Sequence, residues 1–198
     1  MQTVFVDPNF LPDVSVAIVT IAASNVGNKA ANQSQHARFA ADIAAGKKIE
    51  IVKNELGKPI AANSSLHISL SHSKWWGAAA VSETKLVGID IETLEERIER
   101  IAHKFLQPDE LAAIADKRIE TLTLYWSAKE SLYKLYSEKQ LDFASQLLIA
   151  PFEVKAEGML NATIRLQHAS IASLQLRYKF FENHVLTLVS ADPGVFNL

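Results

Sequence analysis

Apolar and polar positions alternate along several short stretches of the chain and fall into a helical rhythm along others. VSVAIVTIA (14–22), rich in β-branched residues, is predicted to be a buried strand. Ala37, Ala40, Ala41 and Ala44 recur at helical spacing, so a helix is predicted over 29–45, closed by Gly46. IEIVKN (49–54) predicts a short strand and ELGKP (55–59) a turn with a basic tip, while LHISLS (66–71), WGAAAVS (76–82) and LVGIDIE (86–92) predict three more strands. Helices follow over 94–106, over 108–117, where Pro108 opens the turn and Asp109 and Glu110 suit its start, and over 120–140. The chain then returns to strands near 147–154, 161–167, 173–180 and 184–190. This order predicts an α+β fold whose two halves each contain helices and antiparallel strands, an N-terminal subdomain over 1–86 and a C-terminal one over 87–198.

The 198 residues are enough for a real core, and 48% hydrophobic with 21% charged residues is ordinary for a globular protein. A net charge of −2 gives no global field to draw in nucleic acid or an anionic membrane, so any bound anion must be met by local positive charge. The absence of cysteine excludes disulfides, thiolate metal sites and cysteine nucleophiles. MQTVFVDPNFLPD has neither the basic start nor the apolar run of a secretory signal, and no stretch approaches the roughly 20 apolar residues of a membrane span. The expectation is a cytoplasmic protein that binds no membrane.

The strand LVGIDIET raises the first chemical question. Its alternation sends Val87, Ile89 and Ile91 to one face, and Asp90 and Glu92 together to the other beside Gly88. Two like charges on a covered face need a compensating positive charge. On the helix over 120–140, Trp126, Glu130, Tyr133 and Lys134 share a face and Lys129 flanks it. Glu130 and Lys134 are readable either as an ordinary surface pair or as part of a site. With Asp90 and Glu92, Glu130 makes three carboxylates able to converge on a hard divalent cation such as magnesium. In HISLSHSKWWG (67–77), Ser69 and Ser71 alternate with apolar residues, and His72 stands at the strand's end, placed to donate to a phosphate. A hydrolase triad is disfavoured because no GxSxG elbow is present. His36, His67, His168 and His184 lack metal-ligand spacing, and His103 falls on a helix surface. Gly57 and Pro59 fix a turn that presents Lys58, either as plain surface or to an anion.

GKP (57–59), SLSHS (69–73), VGIDIE (87–92), FLQPDE (105–110) and WSAKESLYK (126–134) occur in that order, and together they resemble the phosphopantetheinyl transferase superfamily, specifically its surfactin-synthetase-activating type. The resemblance implies two similar α/β subdomains related by a pseudo-twofold, with coenzyme A in the cleft between them and a monomeric protein. It implies transfer of the 4′-phosphopantetheine arm from coenzyme A to a serine of an acyl or peptidyl carrier protein, releasing adenosine 3′,5′-bisphosphate. By the same resemblance, Asp90, Glu92 and Glu130 hold magnesium, and Lys134 and Lys129 neutralise phosphate oxygens. His72 donates to a phosphate with Ser71 beside it, and Lys58 reaches coenzyme A. Either Glu130 or a metal-bound hydroxide takes the serine proton, and Trp126 is a packing anchor. Glu110 matches a family position, but its place in a helix's first turn is reason enough for it. Members of this type usually have an upstream basic cluster, for which this chain offers Arg38 and His36 on the first helix and Lys47 and Lys48 after it. Arg97, Arg100, Lys104, Lys117 and Arg118 are candidates to meet an acidic carrier, on a face that also holds Glu95, Glu96 and Glu99. Two other readings are an inactive member that only binds coenzyme A or a carrier, and a metal-dependent phosphodiesterase or nucleotidyl transferase.

Overall fold

The computed structural model describes residues 4–20, 29–112, 114, 118–137, 141–166, 169–170 and 174–196. Alternating apolar positions build two antiparallel sheets. The first joins β1 (Val4–Leu11), β2 (Val14–Thr20), β5 (His67–His72) and β6 (Trp76–Ser82) in the order β1-β2-β6-β5. Between β2 and β5 come α1 (Lys29–Ala44) and a small hairpin, β3 (Ile51–Lys53) with β4 (Pro59–Ala61). The second sheet takes β7 (Leu86–Thr93), β8 (Leu147–Ile149), β9 (Glu157–Leu166), β10 (Ala169–Ser170), β11 (Leu174–Phe181) and β12 (His184–Ala191). Its order is β10-β9-β11-β12-β7, with β8 on β9. Between β7 and β8 lie α2 (Arg97–Ile101), a 3-10 turn (Ala102–Lys104), α3 (Pro108–Ala112) and α4 (Arg118–Tyr136).

Burial shows four layers. Val16, Ile18, Ala78 and Ala80 of the first sheet pack against Ile89, Ile91, Leu186 and Leu188 of the second. The outer face of the first sheet receives Ala40 and Ala41 of α1, and that of the second receives Leu122, Ala128, Leu132 and Leu135 of α4. Each helix approaches its sheet over a glycine. A methyl at Gly77 would come within 2.6 Å of the His36 carbonyl carbon, and one at Gly88 within 2.1 Å of the Ser131 carbonyl oxygen. Below α4, Thr187 of β12 binds Ser127 Oγ at 2.9 Å and Ser131 Oγ at 2.7 Å, so the helix is locked by hydroxyls as well as by packing.

Several expectations change. The predicted helix over 94–106 is a short α2 followed by a 3-10 turn, and 147–154 is a strand only to Ile149. β1 went unpredicted because Pro8 interrupts its pattern; it is an edge strand whose register shifts between Asp7 and Leu11, where a missing N–H costs nothing. Residues 21–22, 113, 115–117, 138–140, 167 and 173 of the predicted elements lie outside the described residues, as do Lys117 and His168. Among the described residues, no helix is long and apolar enough to cross a membrane.

Candidate functional site

The site forms where the edges of the two sheets meet. β7 bonds to β12 on one side only, so the N–H groups of Ile89 and Ile91 point away from its own sheet. β5, the last strand of the other sheet, runs beside it. Ser69 Oγ accepts the Ile89 N–H at 3.0 Å and Ser71 Oγ accepts the Ile91 N–H at 3.3 Å. The alternating serines of SLSHS therefore satisfy an exposed sheet edge at the spacing of the strand they face.

Asp90 and Glu92 project from β7 toward α4, as the alternation predicts. Asp90 is 3% exposed. Its Oδ1 accepts from Lys134 Nζ at 2.7 Å and from Ser71 Oγ at 2.7 Å, while Lys134 Nζ also donates to Ser71 Oγ at 3.0 Å. Lys134 is thus a positive charge that the acidic strand keeps within the chain. It stands against three carboxylates, and the imbalance appears in their protonation. Burial and the Asp90 charge push Glu130 up to about 7, against the pull of Lys134. Burial and Asp90 also push Glu92 up to about 7, Glu130 adds to this, and the Trp126 hydrogen bond and Lys134 oppose it.

Asp90 Oδ2 is buried without a hydrogen-bond partner, and Glu130 has none among the described residues. An orphaned buried carboxylate oxygen beside two proton-retaining glutamates is a donor set suited to a hard cation, which prefers oxygen ligands and often takes few of them from the protein. As they stand, no three Asp, Glu or His side chains among the described residues close into a metal-gripping group. Asp90 Oδ1 is turned to Lys134, and Glu92 Oε1 accepts the Trp126 indole N–H at 2.9 Å. Magnesium completed by substrate phosphates and water fits such a set; a cage made wholly by protein does not.

Two clefts flank this cluster. One, of about 370 Å³, is lined by Lys58, Ser69, Tyr133, Lys134 and Ser137. The other, of about 550 Å³, is lined by His72, Ser73, Glu92, Thr93 and Arg97. Lys134 opens on the first and Glu92 on the second. Lys58 reaches its cleft through a tight turn: Asn54 Oδ1 accepts from Leu56 N at 3.1 Å and from Lys58 N at 2.8 Å, and Gly57 takes φ +80°, a conformation that favours glycine. His72 stands at the end of β5 with its side chain open to solvent on one side, and partial desolvation together with the Lys134 charge holds its ring below the ordinary histidine range.

Some expected ligands of coenzyme A stand elsewhere. Lys129 is fully buried and donates to Phe105 O at 2.7 Å, Glu110 Oε2 at 2.7 Å and Phe143 O at 3.1 Å. Its three protons are spoken for, so it has none to offer a phosphate. Glu110 is structural too, for its Oε1 also accepts from Ile149 N at 3.1 Å. Arg38 lines neither cleft and ties α1 to β3 through Ile51 O at 2.7 Å. Ser71 is buried with its hydroxyl committed to Asp90, Ile91 and Lys134, which makes it a partner of the cluster more than of a ligand. On the face suggested for a carrier, Arg97 pairs with Glu95 at 2.7 Å and Arg118 with Glu99 at 2.9 Å, while Arg100 and Lys104 are exposed. The hydrogen bond from Trp126 to Glu92 and the cleft position of Tyr133 were not predicted; the helical spacing that groups both with Glu130 was the available signal.

Residues 86–189, just over half of the chain, match the family model of the 4′-phosphopantetheinyl transferase superfamily. The chain is 31% identical over 144 residues to a 4′-phosphopantetheinyl transferase of Bacillus subtilis, covering 70% of this chain and 62% of that protein. It is 35% identical over 86 residues to the 4′-phosphopantetheinyl transferase gsp of Aneurinibacillus migulanus, covering 41% of this chain and 35% of that protein. The matches therefore span less than two thirds of the length of these relatives. The matched region holds Asp90, Glu92, Glu130 and Lys134, all four groups of the acidic cluster, and the chain belongs to the 4′-phosphopantetheinyl transferase superfamily.

Proposed function

We propose that this chain transfers the 4′-phosphopantetheine arm of coenzyme A to a serine of an acyl or peptidyl carrier protein, releasing adenosine 3′,5′-bisphosphate. The observation that supports the reading most is the cluster of Asp90, Glu92, Glu130 and Lys134 at a seam with a cleft on either side. In this reading the nucleotide end of coenzyme A enters the cleft of Lys58 and Lys134, where two ammonium groups meet its phosphates. The carrier serine approaches from the side of His72 and Glu92. Its Oγ attacks the phosphorus that bears pantetheine. The new O–P bond forms as the bond to the bridging oxygen breaks, and the bisphosphate departs with that electron pair. Glu130 takes the serine proton as general base. Lys134 and His72 donate to phosphate oxygens as charge shifts onto them. Asp90, Glu92 and Glu130 would hold magnesium, which when bound supplies positive charge to the pyrophosphate.

The same reading takes the two layered halves, 1–86 and 87–198, as subdomains related by a pseudo-twofold. One chain then provides both walls of the cleft and acts as a monomer in the cytoplasm. The test is incubation with coenzyme A, magnesium and a panel of apo carrier proteins, each weighed intact. A gain of one phosphopantetheine arm that disappears with chelator is the expected result. No gain on any carrier, in protein that still binds coenzyme A, would overturn transfer in favour of binding alone.

A further inference from the structure

Trp126 sits half-buried on α4 between two phenylalanines. The Phe143 ring stacks on it with centroids 5.4 Å apart and planes 26° from parallel, and Phe105 meets it edge-on at 5.2 Å. Phenylalanine or leucine could fill such a slot by packing alone. What only tryptophan adds is the indole N–H, and that group donates to Glu92 Oε1 at 2.9 Å. It takes one oxygen of the carboxylate and fixes the direction of the other.

The slot has an unusual frame. Lys129, one turn along α4, donates to the backbone carbonyls of the same two residues whose rings enclose Trp126, Phe105 and Phe143, and its third proton goes to Glu110. Burying an ammonium group is costly even when it is paired, and methionine could occupy its volume without that cost. The three donated bonds give it a function: they hold the 105–110 segment and the residue-143 segment at a set distance from α4. Tyr133 also packs against the Phe143 ring, with centroids 5.4 Å apart and planes 33° from parallel, and it lines the cleft of Lys58.

We propose that Trp126 is a positioning residue that aims the Glu92 carboxylate at the cation site, and that Lys129 acts through Phe105 and Phe143 to hold Trp126 in place. This rests on the reading of Asp90, Glu92 and Glu130 as cation ligands given above. Trp126→Phe keeps an aromatic ring in the slot and removes only the N–H. Groups that orient metal ligands typically change metal affinity by about 10–100-fold when lost.

The test is direct titration of the full chain with Mn²⁺ in the presence of coenzyme A, read by electron paramagnetic resonance of free Mn²⁺. Trp126→Phe is expected to weaken Mn²⁺ binding by about tenfold or more. Coenzyme A binding without metal should not change. In the transfer assay the magnesium requirement should rise, while turnover at saturating magnesium stays within about twofold. Glu92→Ala and the double variant complete a cycle, which subtracts any general packing loss; the effect of Trp126→Phe should be absent once the side-chain acceptor at Glu92 is removed. Equal Mn²⁺ affinity in wild type and Trp126→Phe, or full additivity with Glu92→Ala, overturns the inference while leaving transfer standing. A wild-type chain that binds no Mn²⁺ and modifies no carrier overturns the reading of the site and this inference with it.

Discussion

Glu130 retains its proton to about pH 7 because it is half-buried beside Asp90, and Lys134 only partly offsets that charge. The consequence for stability has a definite sign. Between the ordinary glutamate value of 4.5 and about 7, the folded chain keeps a proton that the unfolded chain has released. Stability from this group is therefore present below pH 4.5, falls as pH rises through the window, and is gone above about 7. Glu130→Gln removes this group's share of the dependence and leaves that of Glu92, which is also pushed up to about 7. In chelated buffer, the melting temperature of Glu130→Gln should gain on that of wild type as pH rises from 5.5 to 8; a constant difference would deny the buried, proton-retaining state. Magnesium with coenzyme A should close the gap at pH 8 by favouring the ionised carboxylates. The same variant should lose about 10²–10⁴-fold in transfer rate while still folding, as removal of a general base predicts. Asp90 differs in kind. Its partners Lys134 and Ser71 are held at 2.7 Å, so Asp90→Ala strands a partly buried ammonium and should lose stability as well as turnover.

The two glycines beneath the helices separate packing from chemistry at the level of the element. Both lie where a methyl would overlap helix backbone, so Gly77→Ala and Gly88→Ala should each destabilise the fold by about 1–3 kcal/mol or more, measured by denaturant unfolding. Only Gly88 lies under α4, at Ser131 and Leu135, within one turn of Glu130 and Lys134. At matched fractions of folded protein, Gly88→Ala should therefore lose much more turnover than Gly77→Ala. Equal losses would mean that the placement of α4 on β7 does not govern the site. These elements also show what could be read from the sequence. Strand alternation put Asp90 and Glu92 on one face, and helical spacing grouped Trp126, Glu130 and Lys134, because both depend only on local periodicity. Ser69 and Ser71 were visible as an alternating pair, but their work of capping the edge of β7 depends on two strands from different sheets lying side by side. Lys129 was misplaced for a similar reason. Its position on α4 is local, but its burial is set by Phe105, Glu110 and Phe143, which only the folded chain brings to it. β1 and the break after Ile149 were lost to prolines, Pro8 and Pro151, whose tolerance depends on a strand being at an edge or ending.

Across the whole molecule, the cleft of about 370 Å³ draws Lys58, Ser69 and Leu70 from the layers before β7 and Tyr133, Lys134 and Ser137 from α4 and its end. A ligand held there touches β5 and the turn before β4 on one side and α4 on the other, so its binding energy opposes their separation and not merely the opening of a loop. Linkage gives the scale: a ligand at 100 times its Kd adds about 2.7 kcal/mol to the folded state, provided the unfolded chain does not bind it. Coenzyme A with magnesium should accordingly raise the melting temperature and sharpen the transition, and hydrogen exchange should slow together in the 51–61 hairpin and in α4. Lys58→Ala tests the bridge at a half-buried residue of the turn that Asn54 holds. The variant should lose most of the ligand-induced protection of the hairpin, raise the KM for coenzyme A by about tenfold, and leave kcat close to wild type, since in the proposed reading Lys58 meets substrate and transition state alike. Protection confined to α4 in wild type would place coenzyme A on the second sheet alone. In that case the first sheet would serve as a support for the edge of β7, through Ser69 and Ser71, and not as a wall of the binding cleft.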